Sequence, residues 1–193
     1  MLVTLALAAA LSAPAHIHTD PVKWTIDPVH SEITFKIRHF VSKVPGTFAQ
    51  WTGDIVADPA KLAGGSVSVT IQTASISTRN DRRDTHLRSP DFFAADSFPT
   101  ITFKSTQVEA TGPAVKITGE LTIRGVTKTV VLTGEFGGTF GPAEAGKQKI
   151  GFSASTKVNR LDYGVRWNRL AEGVNMLGDE VEITINIEAT RAA

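Results

Sequence analysis

VKITGELTIRGVTKTVVL, residues 115–132, decides the fold. Val115, Ile117, Gly119, Leu121 and Ile123 alternate with Lys116, Thr118, Glu120, Thr122 and Arg124. A period of two puts these sets on opposite faces of a strand, one dry and one wet. Arg124-Gly125 then turns the chain almost directly into a second strand.

The same pattern recurs on both sides. Ile33, Phe35, Ile37 and His39 alternate with Thr34, Lys36 and Arg38, and Val67, Val69 and Ile71 with Ser66, Ser68, Thr70 and Gln72. Ile150, Phe152, Ala154, Thr156 and Val158 form another row, and Val181, Ile183, Ile185 and Ile187 the last. Strands with one wet face are antiparallel, because parallel strands are covered on both sides and read as unbroken apolar runs. Asp27-Pro28 and Thr111-Gly112-Pro113 add turn signals. The expectation is about eight or nine strands, several near ten residues and so roughly 33 Å long. Long sequential strands with short connections favour a meander closed into a barrel, which removes exposed edges. A two-sheet sandwich would hide the same apolar face.

Composition narrows the function. The chain has 193 residues, 20 Lys+Arg against 19 Asp+Glu, 41% hydrophobic residues and no cysteine. This suits one globular domain. A net charge of +1 gives no global field to draw nucleic acid or an anionic membrane. Without cysteine there are no disulfides, thiolate metal sites, cysteine nucleophile or cysteine-linked lipid.

At the N-terminus, Leu2 to Leu11 are apolar, and Ala13 and Ala15 give the small-x-small pattern of signal peptidase. Residues 1–15 are therefore expected to be a signal peptide, 16–21 a flexible mature N-terminus and 22–193 one barrel domain. No Lys or Arg precedes the apolar run, which departs from an ordinary secretory signal, and a buried N-terminal helix is the alternative. The run is shorter than the roughly 20 residues of a membrane span. Export without cysteine points to a periplasmic setting. Cleavage after Ala15 would place His18 third behind a free amine, a square-planar arrangement suited to Cu(II) or Ni(II).

Two segments break the alternation. Thr78 to Pro99 is charged and then aromatic, with Asp84 placed to cap a short helix, and Asn159 to Gly178 holds the sole Tyr, Tyr163, with Trp167. Such insertions over a barrel cover an end or shape its mouth. Asp81, Asp84 and His86 with Ser77 or Ser89 are hydrolase candidates, but none sits in a G-x-S-x-G, H-E-x-x-H or S-x-x-K frame. The plainer reading makes Asp84 a helix cap, with Arg83 and Arg88 in ion pairs. His30, His39 and His86 lack compact metal-ligand spacing, and His39 shares the apolar register, where a core hydrogen bond would satisfy it. Arg79, Arg82, Arg83 and Arg88 are interleaved with Asp81, Asp84 and Asp91, which argues against a phosphate-backbone surface.

Several stretches together resemble the YceI-like family of polyisoprenoid-binding, lipocalin-like periplasmic proteins. They are WTIDPVHSEITFKIRHF (24–40), GTFAQWTGDI (46–55), RRDTHLRSPDFFAADSFPTITFKS (82–105), GELTIRGVTKTVVL (119–132), NRLDYGVRWN (159–168) and GDEVEITINIE (178–188). The resemblance implies an all-β fold, a closed antiparallel lipocalin-like β-barrel of about eight strands with one or two short helical segments covering an end. It implies carriage or sequestration of an isoprenoid lipid or isoprenoid quinone without established catalysis, and in some members a homodimer; no cofactor, metal, nucleic acid or stable membrane insertion is expected from the residues themselves. Burial of an apolar chain at about 25 cal/mol per Å² agrees with such a ligand.

The expected apolar lining is Trp24, Phe35, Ile37, Phe48, Val69, Ile71, Phe103, Leu121, Phe152 and Ile183. The expected mouth or head-group end is His39, Arg83, Asp84, His86, Tyr163 and Trp167. Core packing is the alternative for each aromatic, and a cap with a buried ion pair is the alternative for Arg83, Asp84 and His86. An exported hydrolase acting on an amphiphilic ester, with Asp84 and His86 as its polar catalysts, is the rival function.

Overall fold

The computed structural model describes residues 22–168, 170–171 and 174–193. The expected signal peptide, the mature N-terminus and the His18 copper or nickel site lie outside them.

The alternating runs form one sheet that closes on itself. In chain order its strands are β1 (Val22–Ile26), β2 (Glu32–His39), β3 (Ser42–Phe48), β4 (Trp51–Asp58), β5 (Lys61–Gln72), β6 (Ile76–Ser77), β7 (Thr100–Thr111), β8 (Ala114–Ile123), β9 (Val126–Phe140), β10 (Lys149–Asn159) and β13 (Leu177–Arg191). A short ladder of β11 (Leu170–Ala171) with β12 (Val174–Asn175) stands apart. The helix α1 (Asp81–Arg88) follows β6.

Around the barrel, β1 pairs β4, then come β5, β7, β8, β9, β10 and β13, and β13 returns to β1. All pairs are antiparallel, giving an eight-stranded closed meander. Three neighbouring staves are each broken once: β1/β2, β3/β4 and β5/β6. The long β13 spans the first break, matching Thr25 with its Thr190 and Thr34 with its Thr184. Asp27-Pro28 makes that first break, as the turn signal predicts.

The registers follow the sequence pattern. Phe103 faces Leu121, Val69 faces Phe103, and Ile183 faces Phe35 across their strand pairs. Alternate residues such as Lys116, Glu120 and Lys157 point outward and are exposed. An apolar inside with a charged outside is the reverse of a transmembrane barrel, whose outer face is an apolar band.

Two apolar clusters occupy the ends. At the lower end Trp24 is fully buried with Ile55, Ala57, Leu62, Val115, Ile150 and Ala189, and its indole donates to the Ala57 carbonyl at 3.0 Å. At the upper end Ile33, Phe48, Ile71, Ile76, Ile101, Leu121, Val158 and Tyr163 pack together beneath α1.

Four side chains behave differently from expectation. Asp84 is not the N-cap of α1. Asn80 is, accepting from the Arg83 amide at 3.0 Å, while Asp84 sits inside the first turn and is buried. Arg83 and Arg88 do not form surface ion pairs, because both turn back onto backbone carbonyls and a threonine hydroxyl. His39 keeps the inward register, yet it is exposed, since β2 runs past the barrel rim there.

Candidate functional site

The barrel is hollow. A cavity of about 1090 Å³ runs from the floor residues Ile55, Ala57, Leu62 and Val115 to α1 and the loop after β10. This is slightly above the roughly 300–1,000 Å³ usual for ligand pockets. Phe35, Ile37, Phe48, Val69, Ile71, Phe103, Leu121, Phe152 and Ile183 all line it. Trp24 does not, because it closes the lower end as part of the plug.

Two glycines explain the hollow. A side-chain carbon on Gly46 would fall inside the Phe35 ring, and one on Gly119 inside the Phe103 ring. Each aromatic ring therefore lies flat over a neighbouring strand instead of reaching across the lumen. Opposite them, Ala154 and Thr156 present short side chains to the same space.

The ionisable groups of the lining gather at the upper end, while Ser66 adds a hydroxyl residue near the floor. His39, Asn80, Arg82, Arg83, His86, Tyr163 and Trp167 line the cavity at that upper end. Asp84 does not reach it. Its carboxylate accepts from the Thr78 amide at 2.8 Å and the Thr78 hydroxyl at 2.5 Å. Arg83 meets the same residue, through Nε to the hydroxyl oxygen at 2.6 Å and Nη2 to the carbonyl at 2.9 Å. Thr78 thus stands between Arg83 and Asp84, and the trio locks the start of α1 to β6.

His86 pairs with Asp91, Nε2 to Oδ2 at 2.8 Å. Its ring packs edge-on against Phe92 and Trp167, each with centroids 5.0 Å away. That cluster joins the α1 segment to the loop after β10 over the mouth. Asp84 and His86 thus face different partners. Ser89 donates to the His86 carbonyl instead of its ring, at 2.8 Å, and Ser77 accepts from the Arg79 amide. The hydrolase candidates do not assemble into a nucleophile–base pair.

Sequence reasoning missed the residue that holds the other half of the mouth. Arg160 is buried in a 3₁₀ turn (Arg160–Tyr163) and donates to the carbonyls of Gly178 at 2.8 Å, Val165 at 2.7 Å and Trp167 at 2.8 Å. Asp179 lies 3.4 Å from its Nη2. Burial pulls the guanidinium below its ordinary value while Asp179 opposes that, and an arginine stays charged regardless. Arg124 plays a matching part, donating to the carbonyls of Pro90 and Phe92. Their signal was only their place inside stretches that carry the family resemblance.

Tyr163 is 2% exposed, lines the cavity and has no hydrogen-bond partner among the described residues. Burial, with the nearby Asp162 charge adding to it, pushes its phenol above the usual value, so it stays a neutral O–H donor.

One further cluster lies on the outer wall, at the break between β1 and β2. Ligand atoms of Asp27, His30 and Glu188 come within 4.8 Å of one another. Lys149 already supplies their positive charge, bonded to Glu188 and 3.8 Å from Asp27.

A model of the YceI-like domain matches residues 24–189. The chain belongs to the YceI-like family. Among its YceI-like relatives is a UPF0312 protein of Vibrio cholerae, 36% identical over 169 residues, covering 86% of this chain and 88% of that one. The crystal structure of the Campylobacter jejuni YceI protein superposes with a TM-score of 0.70 at 36% identity, covering 79% of this chain and 88% of that one. A polyisoprenoid binding domain from Saccharophagus degradans, implicated in plant cell wall breakdown, shares the fold at a TM-score of 0.64 and 15% identity, covering 88% of this chain and 99% of that one.

Proposed function

We propose that this YceI-like chain is a non-enzymatic carrier or sequestering protein that holds a long-chain isoprenoid, either a polyprenyl lipid or an isoprenoid quinone, in its barrel. It does so in the periplasm after loss of residues 1–15. The observation that carries this reading is the 1090 Å³ apolar cavity whose ionisable lining groups all lie at one end. An extended hydrocarbon chain gains about 25 cal/mol per Å² of buried apolar area without needing directional contacts. The head group then sits among His39, Arg83, His86, Tyr163 and Trp167, where Tyr163 offers an unused O–H to a carbonyl or phosphate oxygen. The Saccharophagus degradans domain supports the isoprenoid choice over a straight acyl chain.

Native mass spectrometry of the exported protein, followed by organic extraction and lipid mass analysis, tests this. One isoprenoid or quinone per chain is the expected result. A clean apo mass, with no rise in melting temperature on adding ubiquinone or a polyprenol, would refute it.

A further inference from the structure

At the mouth of the cavity, the turn between β2 and β3 carries two apolar side chains into solvent. Val41 is 86% exposed and Phe40 53%. Their neighbours His39 and Ser42 line the cavity, so this tip stands on its rim. Phe40 adopts a left-handed backbone, φ 51°, which bulky residues disfavour. The tip is nevertheless fixed. The Phe40 amide donates to the Met176 carbonyl at 2.7 Å, and Arg38 donates to the Phe40 carbonyl at 3.1 Å. The fold thus holds about half of the Phe40 surface in water in a disfavoured conformation.

The charge around the mouth is basic where it is free. Arg79, Arg82 and Arg166 are exposed and make no ion pair among the described residues, and Arg38 stands beside the tip, whereas Lys43 is neutralised by Glu182. Of the acids nearby, Glu182 is engaged with Lys43 at 2.6 Å, Asp179 with Arg160 and Asp91 with His86. Asp81 and Asp162 remain.

We propose that the Phe40–Val41 tip is a membrane-docking wedge that seats the cavity mouth on an anionic lipid surface. A protruding apolar pair with Arg38 at its base, on the mouth end that also carries unpaired arginines, fits the boundary between head groups and acyl chains. A second copy of the chain fits it poorly, since two side chains fall far short of the roughly 800 Å² per partner of a stable interface. The wedge touches the bilayer without crossing it, and no described helix is long and apolar enough to do so. Its purpose, passing an amphiphile between bilayer and barrel, rests on the carrier reading above.

The test is flotation with vesicles of phosphatidylethanolamine and phosphatidylglycerol, comparing the mature protein with F40N/V41N and F140S. Asparagine tolerates the left-handed backbone. Phe140, 79% exposed at the opposite end of the barrel, is the control. We expect F40N/V41N to lose at least tenfold in vesicle partition and F140S to match the wild type. R79Q/R166Q should weaken binding to these vesicles and flatten its salt dependence. If F40N/V41N melts early, V41N alone makes the same comparison.

Four results would overturn the wedge: no flotation of the wild type, unchanged flotation of the tip variants, an equal loss in F140S, or a solution dimer that the tip variants dissolve. Lipid extracted from F40N/V41N separates the two proposals. Lost flotation with lipid retained upholds both. A wild type that floats but contains and takes up no isoprenoid upholds the wedge and removes the carrier.

Discussion

Ala154→Phe separates a hollow barrel from a packed one by the sign of its effect. Ala154 lines the cavity from β10, faces Ile185 on β13 and Gly134 on β9, and its inward neighbours Phe152 and Thr156 leave the lumen open beyond it. A phenylalanine there projects into empty apolar space. Full burial of such a side chain is worth about 1.5–3 kcal/mol. At 2–4 °C per kcal/mol for a chain of this size, the melting temperature of the delipidated protein should rise by roughly 3–12 °C. The same ring occupies volume that a tail would use, so isoprenoid binding should weaken at least tenfold. Calorimetry of the delipidated protein and titration with a polyprenol read the two effects. In a packed interior the added ring would overpack and cost about 1–3 kcal/mol instead. A fall in melting temperature, or unchanged affinity for the tail, would sink the claim that this space is empty and holds the ligand.

Asp84→Ala leaves the buried Thr78 amide and hydroxyl without their acceptor, so we expect destabilisation of about 1–3 kcal/mol in urea melts, with Asp84→Asn recovering most of it. Arg160→Met strips partners from three carbonyls, and we expect a loss of about 3–5 kcal/mol together with faster proteolysis between residues 164 and 178. Asp27, held low mainly by His30, and Glu182, held low mainly by Lys43, contribute stability above their unfolded values that is lost as pH falls through their folded ones. Lys149 and Lys157, raised mainly by Glu188 and Glu180, contribute fully below 10.5 and lose it above. The melting temperature from these groups should be flat between about pH 5 and 9, and Glu182→Gln should shrink the acid limb while leaving the plateau shape unchanged.

The barrel was legible because a period of two is a geometric statement about which face each side chain takes, and eight such rows joined by short turns have few ways to satisfy their edges. The rows from Val115 to Ile123 and from Ile150 to Val158 appear in the register their alternation implies. Alternation fixes the direction of a side chain but not how far it reaches. Phe35 and Phe103 point inward as read, yet they lie over Gly46 and Gly119 because of pairings between separate strands, which one row cannot reveal. Whether the interior is filled or hollow was therefore invisible. Trp24 illustrates the converse, being inward and apolar but so near the lower end that it plugs the barrel.

The mouth was less legible for a related reason. Its residues interrupt the period, so their positions depend on hydrogen bonds made after the chain has folded. The Asp84 reading went astray because Asn80, four residues earlier, serves the cap equally well by chemistry. Only the geometry at Thr78 shows which group does it. Arg83 and Arg88 were read as charges seeking acids, whereas they, like Arg124 and Arg160, spend donors on carbonyls, most of them in segments between strands. Those segments have no ladder to satisfy their backbone, and a buried carbonyl without a partner is costly.

A hollow middle shifts the burden of stability to the two ends. Between the Trp24 plug and the Tyr163 cluster, the lining side chains face empty space and forgo the contacts a filled core would give them. The closed ladder pairs the backbone of the wall except at its bulges, which is what lets the interior stay empty without collapse. Anything apolar that fills the space restores those contacts and binds the folded form alone, so it must raise stability by RT ln(1 + [L]/Kd). Occupancy and stability are therefore one measurement in this fold. Variants at the mouth such as Arg160→Met should then lose more stability in the loaded protein than in the empty one, because they release both the loop and the occupant it encloses. Equal losses in the two states would mean that the mouth is structural and takes no part in retention.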